Sequence, residues 1–307
     1  MLLKMLEAYK SQFSIIEIRS GEALEECFRT SFTWTELPKT LCLASNRKYY
    51  CQAIENKNIR GIVAPPSAID GPGYDKALVI SEKADELFYH LHNQKIHELK
   101  PGAADQAEPY ISPTAKIAST AVVGKHVVIE DNVVIHDFCM VFDNSVIGSD
   151  SILHPYVIIG SQGFFSKMVL GKKTHIEHFG GVRIGRNCIV HTGTNIPRSV
   201  NIGEDTIIGE NVHIGSHSSI GHDSKIGHNC DISAKVIISG RVNIGSNCWI
   251  GAGAMIANSL SIGENASLKI GAVVITNVPA GVSVSGNFAT THSKNLKEFL
   301  RRERGAE

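Results

Sequence analysis

Seven of the fourteen histidines lie between His175 and His228, and the densest run, HIGSHSSIGHDSKIGHNC, holds His213, His217, His222 and His228. An imidazole titrates close to neutral pH, so a neutral ring turned toward solvent can take a proton from an attacking amine or hydroxyl. The four do not share one setting. His222 and His228 each follow an aliphatic residue, Ile220 and Ile226, by two places within a six-residue repeat, a position that points outward from the fold the repeat specifies. For any single surface histidine the plain alternative is a solvated side chain without a role.

Large aliphatic residues recur every six residues through twenty-five hexads, from Ile111 to Ile159 and again from Ile184 to Val274. Neither the period of a helix nor the alternation of a two-sided strand resets on six. A parallel β-helix does, each hexad supplying one short strand and one corner. Glycine often follows the aliphatic residue, as at Gly209, Gly215 and Gly221, and is expected there for its backbone freedom and for close approach. Four places after the aliphatic residue stand small or β-branched residues such as Thr206, Val212 and Ser224, suited to an inward position where the walls converge. Cys139, Cys188, Cys230 and Cys248 occupy that position and read as buried thiols. With seven cysteines, an odd number lacking a CxxC pair, no disulfide framework is expected.

With three hexads to a turn, residues eighteen apart stand one above another, and Glu204, His222 and Gly240 form such a column. Gly240 falls where neighbouring coils carry side chains, which leaves a bare N–H to receive a tetrahedral oxyanion above the imidazole. Glu204 below is the candidate to orient the ring. The ends and any exposed wall of a solenoid need covering, so capping segments and self-association are expected.

Residues 1–100 follow another grammar. KTLCLAS (39–45), RGIVA (60–64) and KALVIS (76–81) read as strands, NRKYYCQAIEN as a helix, and Ala84, Leu87, Phe88 and Leu91 keep helical spacing, which together predict a small α/β domain. A linker over 101–110 leads into the solenoid, 111–280, which is interrupted over 160–183 by a loop without hexads. That loop carries Phe164, Phe165, Lys167, Lys172, Lys173, His175 and His178, and it serves either a binding face or an interface. The extension 281–307 ends in a predicted helix with Leu296, Phe299 and Leu300 on one side and Lys294, Lys297, Arg301, Arg302 and Arg304 around them. Its charge suits an acidic carrier protein or a solvated cap. Lys+Arg and Asp+Glu both number 30, so net charge gives no pull toward nucleic acid or a membrane surface. The first residues, MLLKMLEAYKSQF, hold no long apolar stretch, so no membrane span and a cytoplasmic location are expected.

The hexads together with IGHDSKIGHNC resemble the hexapeptide-repeat acyltransferases, a class built on a left-handed parallel β-helix. The order of α/β domain, linker, hexads, GFF loop, histidine segment and helical tail is most similar to the UDP-3-O-acylglucosamine N-acyltransferases, which move a 3-hydroxyacyl chain from acyl carrier protein to a glucosamine amine of lipid A. The resemblance implies a mostly β protein: a left-handed parallel β-helix with a small N-terminal α/β domain of the uracil-binding type and a short C-terminal helix. It implies His222 as catalytic base and Gly240 as the oxyanion-stabilising glycine. Asn46 and Tyr49 of LCLASNRKYY match the family's uracil site, with Leu43 where the family has Phe. Ser259 stands where the family has a second active-site histidine and Gly215 where it has an acidic residue, so the chain reads as a diverged member or close relative. Phe164 and Phe165 of the loop join Asn46, Tyr49 and Ser259 as candidate substrate contacts.

The implied reaction is N-acyl transfer from a phosphopantetheine thioester to a UDP- or dTDP-amino sugar, in lipid A (lipopolysaccharide) or surface-glycan synthesis. Acyl carrier protein or coenzyme A is the co-substrate, no metal or tightly bound cofactor is needed, and a homotrimer holds the thioester arm between subunits. Acetyl or short-chain transfer from acyl-CoA is one alternative. Another is a zinc hydratase resembling the γ-class carbonic anhydrases, because four residues separate His217 from His222; there the second histidine directly follows the aliphatic residue, whereas here Gly221 intervenes. A third is a non-enzymatic trimeric scaffold that senses a sugar nucleotide.

Overall fold

The computed structural model describes residues 1–71, 75–94, 96, 108–286 and 291–304. The N-terminal domain is a five-stranded sheet of order β1-β5-β4-β3-β2, comprising β1 (Ile15–Arg19), β2 (Arg29–Ser31), β3 (Thr40–Leu43), β4 (Ile59–Ala64) and β5 (Ala77–Ser81). β1 runs antiparallel to β5 and the other pairings are parallel. Every residue of β5 is buried, as the near-continuous apolar run ALVIS requires of a strand covered on both faces. Helices α1 (Leu2–Tyr9), α2 (Arg47–Glu55) and α3 (Ala84–Asn93) pack around the sheet, and α3 buries Leu87, Phe88 and Leu91. The strands and the two later helices follow the expected segments; α1, β1 and β2 carry no motif that announced them. Residues 101–107 of the expected linker lie outside the described residues.

From Tyr110 to Val284 the hexads wind into a parallel β-helix of three walls with eight, nine and eight strands. Wall 1 contains Asp205–Ile208, Lys225–Ile226 and Asn243–Ile244; wall 2 contains Asp231–Ile232 and Trp249–Ile250; wall 3 contains Ser219–Ile220 and Ile237–Ile238. In the wall strands from Ile129 to Val274 the aliphatic position is buried, so one continuous core runs along the bore, with Cys139, Cys188, Cys230 and Cys248 buried in it as expected.

The corners differ from the expectation. The glycine after each aliphatic residue is set mainly by close approach: a Cβ on Gly221 would sit 2.3 Å from the backbone of Ser239 and Gly240 in the next coil. The left-handed backbone falls two places later, on non-glycine residues such as Asn211 (φ 55), Asp223 (φ 60), Arg241 (φ 64) and Ser259 (φ 61). Asn and Asp are frequent there because their short polar side chains tolerate that conformation.

Register departs from eighteen three times, each time between wall 3 and wall 1, the last a shortening to sixteen where Leu268 pairs with Val284. Ile147 pairs with Ile184 because a hairpin, Ser166–Val169 with Lys172–His175, leaves the helix there. Ile184 then pairs with Ile208, because residues 197–204 swing outward. The hexad at Ile202 is therefore an excursion and not a wall, a difference the unbroken spacing concealed. The N-terminal domain docks on both of these outward segments: on the hairpin Asp85 pairs with Lys167, Glu86 accepts from the Leu170 N–H and Asn93 bridges His175 and Glu177, and on residues 197–204 Glu204 accepts from Thr35.

The chain closes with α4 (His292–Arg304), on which Leu296 and Leu300 are half exposed; the side chains of Phe299, Arg302 and Arg304 lie outside the described residues. Among the described residues no helix is long and apolar enough to cross a membrane.

Candidate active site

His222 and Asp223 occupy the corner between wall 3 and wall 1, one coil above the outward excursion. His222 Nδ1 lies 2.6 Å from Asp223 Oδ2. A carboxylate accepts, so Nδ1 carries the proton and Nε2 keeps its lone pair, the tautomer a general base requires. The other carboxylate oxygen, Oδ1, accepts from the Ser199 hydroxyl and, at 3.0 Å, from the Val200 N–H, both supplied by the excursion. Burial alone would raise the Asp223 carboxyl, but the hydrogen bonds from His222 and Ser199 and the nearby charges of His222 and Arg241 outweigh it and hold it below the usual carboxylate range.

Gly240 sits directly above. A Cβ there would come within 2.8 Å of His222 Cε1 and Nε2, so only glycine lets the coil stack on the ring. Its N–H has no hydrogen-bond partner among the described residues. An imidazole lone pair thus lies beside an unpartnered backbone donor, an arrangement that accepts a proton from a nucleophile and a negative charge from a carbonyl.

The hairpin covers the ring. Phe165 stacks on His222 with centroids 5.7 Å apart, and His178 meets it edge-on at 5.0 Å. His178 Nδ1 donates to the Ile176 carbonyl at 3.0 Å, and its buried Nε2 has no hydrogen-bond partner among the described residues. Burial, reinforced by the charge of His222, pushes His178 down to about 4, so it is neutral wherever His222 works. The His222 side chain remains 12% exposed. Arg241 lies between the rings of Phe32 at 4.7 Å and Phe165 at 5.2 Å, joining the N-terminal domain to the hairpin across the site.

A cleft of about 600 Å³ opens beside this corner, between α2 and wall 1. Tyr49 and Ser259 line it, as do Asp223 and Arg241, whereas the His222 ring is not among the lining residues, so the cleft reaches the site through the neighbouring corner positions. Asp223, Arg241 and Ser259 form a second column, eighteen apart, next to that of His222 and Gly240. Leu43 lines a smaller cavity of about 160 Å³ on the other side of Phe32 and Arg241, with Tyr49 shared between the two.

Three candidates take other positions. Glu204 does not orient His222: its Oε1 accepts from Ser31 and Thr35 (2.9 Å for the latter), because the excursion carries it to the N-terminal domain, and Asp223 supplies the contact instead. Asn46 caps α2, accepting from the Tyr49 N–H at 3.1 Å, and does not line the cleft. Phe164 is 91% exposed while its neighbour Phe165 turns inward. His217 occupies a different corner from His222, and among the described residues no group of three or more His, Cys, Asp or Glu side chains is placed to hold a metal ion.

The sequence held signals for part of what was missed. Asp223 follows His222 directly at the left-handed corner position, and Arg241 follows it by the same eighteen residues that link His222 to Gly240. Ser199, Phe32 and Trp34 carried no such signal, since they reach the site only through the excursion and the domain docking.

Residues 205–240 match the model described as bacterial transferase hexapeptide (six repeats), and residues 241–276 match that of the hexapeptide repeat of succinyl-transferase. Both segments are therefore hexapeptide repeats, and His222, Asp223 and Gly240 lie within the first. Among solved structures the chain is similar to a UDP-N-acetylglucosamine acyltransferase of Francisella novicida, with 25% identity over 62% of this chain and 71% of that one and a TM-score of 0.46. It is similar to the corresponding Arabidopsis enzyme (22% identity, 61% and 76% covered, TM-score 0.41) and to that of Campylobacter jejuni (24%, 62% and 77%, TM-score 0.39). No curated protein matches the chain.

Proposed function

We propose that the protein is an N-acyltransferase that moves an acyl group, a 3-hydroxyacyl chain among the candidates, from a phosphopantetheine thioester to the amine of a nucleotide-linked amino sugar. The amine nitrogen attacks the thioester carbonyl while His222 Nε2 takes its proton. The carbonyl oxygen becomes an oxyanion that accepts from the Gly240 N–H, a contact worth roughly 3–4 kcal/mol per donor. Collapse expels the thiolate, which takes the proton back from the imidazolium, leaving amide and free thiol. Asp223 fixes the ring tautomer and offsets the charge that forms on it. No metal or redox group enters these steps. The observation that carries the reading is the His222–Asp223 pair beneath the unpartnered Gly240 N–H.

Wall 3 supports self-association, in the reading a cytoplasmic homotrimer. Its exposed outward positions are apolar toward both ends, Val122 and Met140 at one and Ile237, Met255 and Val273 at the other, with Ile158, Asn195 and Ser219 between them, and His222 sits on the corner that ends this wall. Replacing Ile237 and Met255 together by Asp should convert the assembly to monomers by sedimentation; an unchanged mass would remove the interface from wall 3. The function itself is tested by mass spectrometry of UDP- and dTDP-amino sugars incubated with acyl-carrier and acyl-CoA donors. Absence of any acylated sugar, or stoichiometric zinc in the purified protein, would overturn it.

A further inference from the structure

Arg241 is ion-paired to the corner of His222 without a side-chain hydrogen bond to it. It follows Gly240 in the left-handed position of the coil above, and its backbone N–H donates to the His222 carbonyl at 2.8 Å. Its Nε lies 3.8 Å from Asp223 Oδ2, near enough for charge and too far for a hydrogen bond. Nε and Nη2 are buried without an acceptor among the described residues. An arginine ordinarily closes such a gap, because a charge-assisted bond to a carboxylate is among the stronger contacts in a protein. Here two rings hold it back: the guanidinium carbon stands 4.7 Å from the centre of Phe32 and 5.2 Å from that of Phe165.

The gap has a chemical consequence. Oδ2 is the oxygen that accepts from His222 Nδ1 at 2.6 Å, while Oδ1 is occupied by Ser199 and Val200. A guanidinium bonded to Oδ2 would compete with His222 for it and weaken the contact that fixes the ring tautomer. One that stands off leaves that contact whole and still acts by its charge. A carboxylate alone beside an imidazole strengthens the ring's hold on a proton, and a cation beyond the carboxylate opposes this. A general base needs both properties, a fixed tautomer and a proton it can give back.

We propose that Arg241 is a positioning residue that acts on His222 through Asp223: clamped between Phe32 and Phe165, it offsets the carboxylate's charge without taking its hydrogen bond, so the ring releases its proton more readily than a His–Asp pair alone would allow. This rests on His222 being the base of the reaction proposed above. It also gives the N-terminal domain a part in the chemistry, since one jaw of the clamp, Phe32, belongs to that domain and the other to the hairpin. Few other charges face these three groups. His178 is neutral, pushed down to about 4 by burial, with His175 stacked on it at 5.9 Å. Tyr89 of α3 stays protonated, its hydroxyl pushed up to about 12 by burial, and Asp85 is tied to Lys167. In the cleft, Thr35 holds Glu204, Arg183 holds Asp205, and Glu36 stands against Lys48 and Lys225.

The test reads the ring first and the rate second. Heteronuclear NMR of labelled imidazoles, with His222→Gln identifying the signal, follows the His222 ring in the full chain without substrate. In Arg241→Met, which loses the charge and keeps an apolar stem between the two rings, the midpoint of that titration should rise by about one pH unit. The acid limb of the kcat/KM profile should move to higher pH by the same amount, so activity falls about tenfold on the acid side and far less on the plateau. Arg241→Lys keeps the charge and should bring both readings back toward wild type. Arg241→Gln replaces the Met variant if circular dichroism shows the latter unfolded. An unmoved His222 midpoint in a folded Met or Gln variant overturns the proposal. So does a loss of activity equal at every pH and not rescued by Lys, the mark of an arginine that only braces the fold. If the midpoint moves while no donor yields product, the charge device stands and the acyl-transfer reading falls; if product forms and the midpoint stays, the reverse holds.

Discussion

Asp223 Oδ2 sits 2.6 Å from His222 Nδ1 on the next residue of the same left-handed corner, so one bend of the chain supplies both the base and the group that sets its tautomer. Replacing the carboxylate by the amide keeps the corner, because Asn occupies the equivalent position at Asn211 and Asn229, but removes the charge that steadies the imidazolium. Asp223→Asn should therefore lower kcat by roughly 10²–10⁴-fold with little change in fold. Steady-state kinetics checks this; near-wild-type kcat would show that the carboxylate only holds Ser199 and Val200.

Gly240 tests the other half of the site. A methyl group there meets the His222 ring at 2.8 Å, and Asp223, Phe165 and His178 leave that ring little room to yield. Gly240→Ala should lose activity by about 10²-fold or more while costing about 1–3 kcal/mol of stability from overpacking. Full activity in that variant would mean that neither the ring position nor the N–H above it matters to turnover.

His178 makes stability depend on pH. Its native value of about 4 lies below the ordinary 6.5 because the ring is buried beside His222. Between these values the unfolded chain binds a proton that the folded chain does not. The folded state is therefore penalised as pH falls from about 6.5 to about 4, by up to roughly 3 kcal/mol, and the penalty levels off below. Urea midpoints of wild type and His178→Gln across that window should diverge, the variant losing less as the pH drops. Parallel curves would contradict the assignment.

Much of the solenoid was legible because six-residue spacing is a property of the chain alone, and an inward aliphatic position places every outward one with it. His222 and Gly240 came from that arithmetic. The loop over 160–183 was legible, but the hexads hid the second excursion at the same corner: Ile202 keeps the spacing yet forms no wall, and only the folded chain shows that residues 197–204 and the hairpin gather Ser199, Phe165 and His178 around the base. Glu204 was misread for the same reason, since the column that puts it under His222 assumes a regular coil where the chain bulges toward Ser31. The aromatic and cationic lining of the cleft depends on docking two domains, which no local pattern encodes.

The most direct test of the account is the rate of acylated sugar-nucleotide formation, followed by mass spectrometry, in wild type and in His222→Ala. The ring lies outside the solenoid core but is only 12% exposed and packs against Phe165 and His178, so its removal costs some stability while leaving the inward aliphatic positions in place. The wild type is predicted to acylate the amine of a UDP- or dTDP-amino sugar, and the variant to fall by roughly 10²–10⁴-fold while circular dichroism shows it folded. Acylation at an undiminished rate in His222→Ala would contradict the central claim.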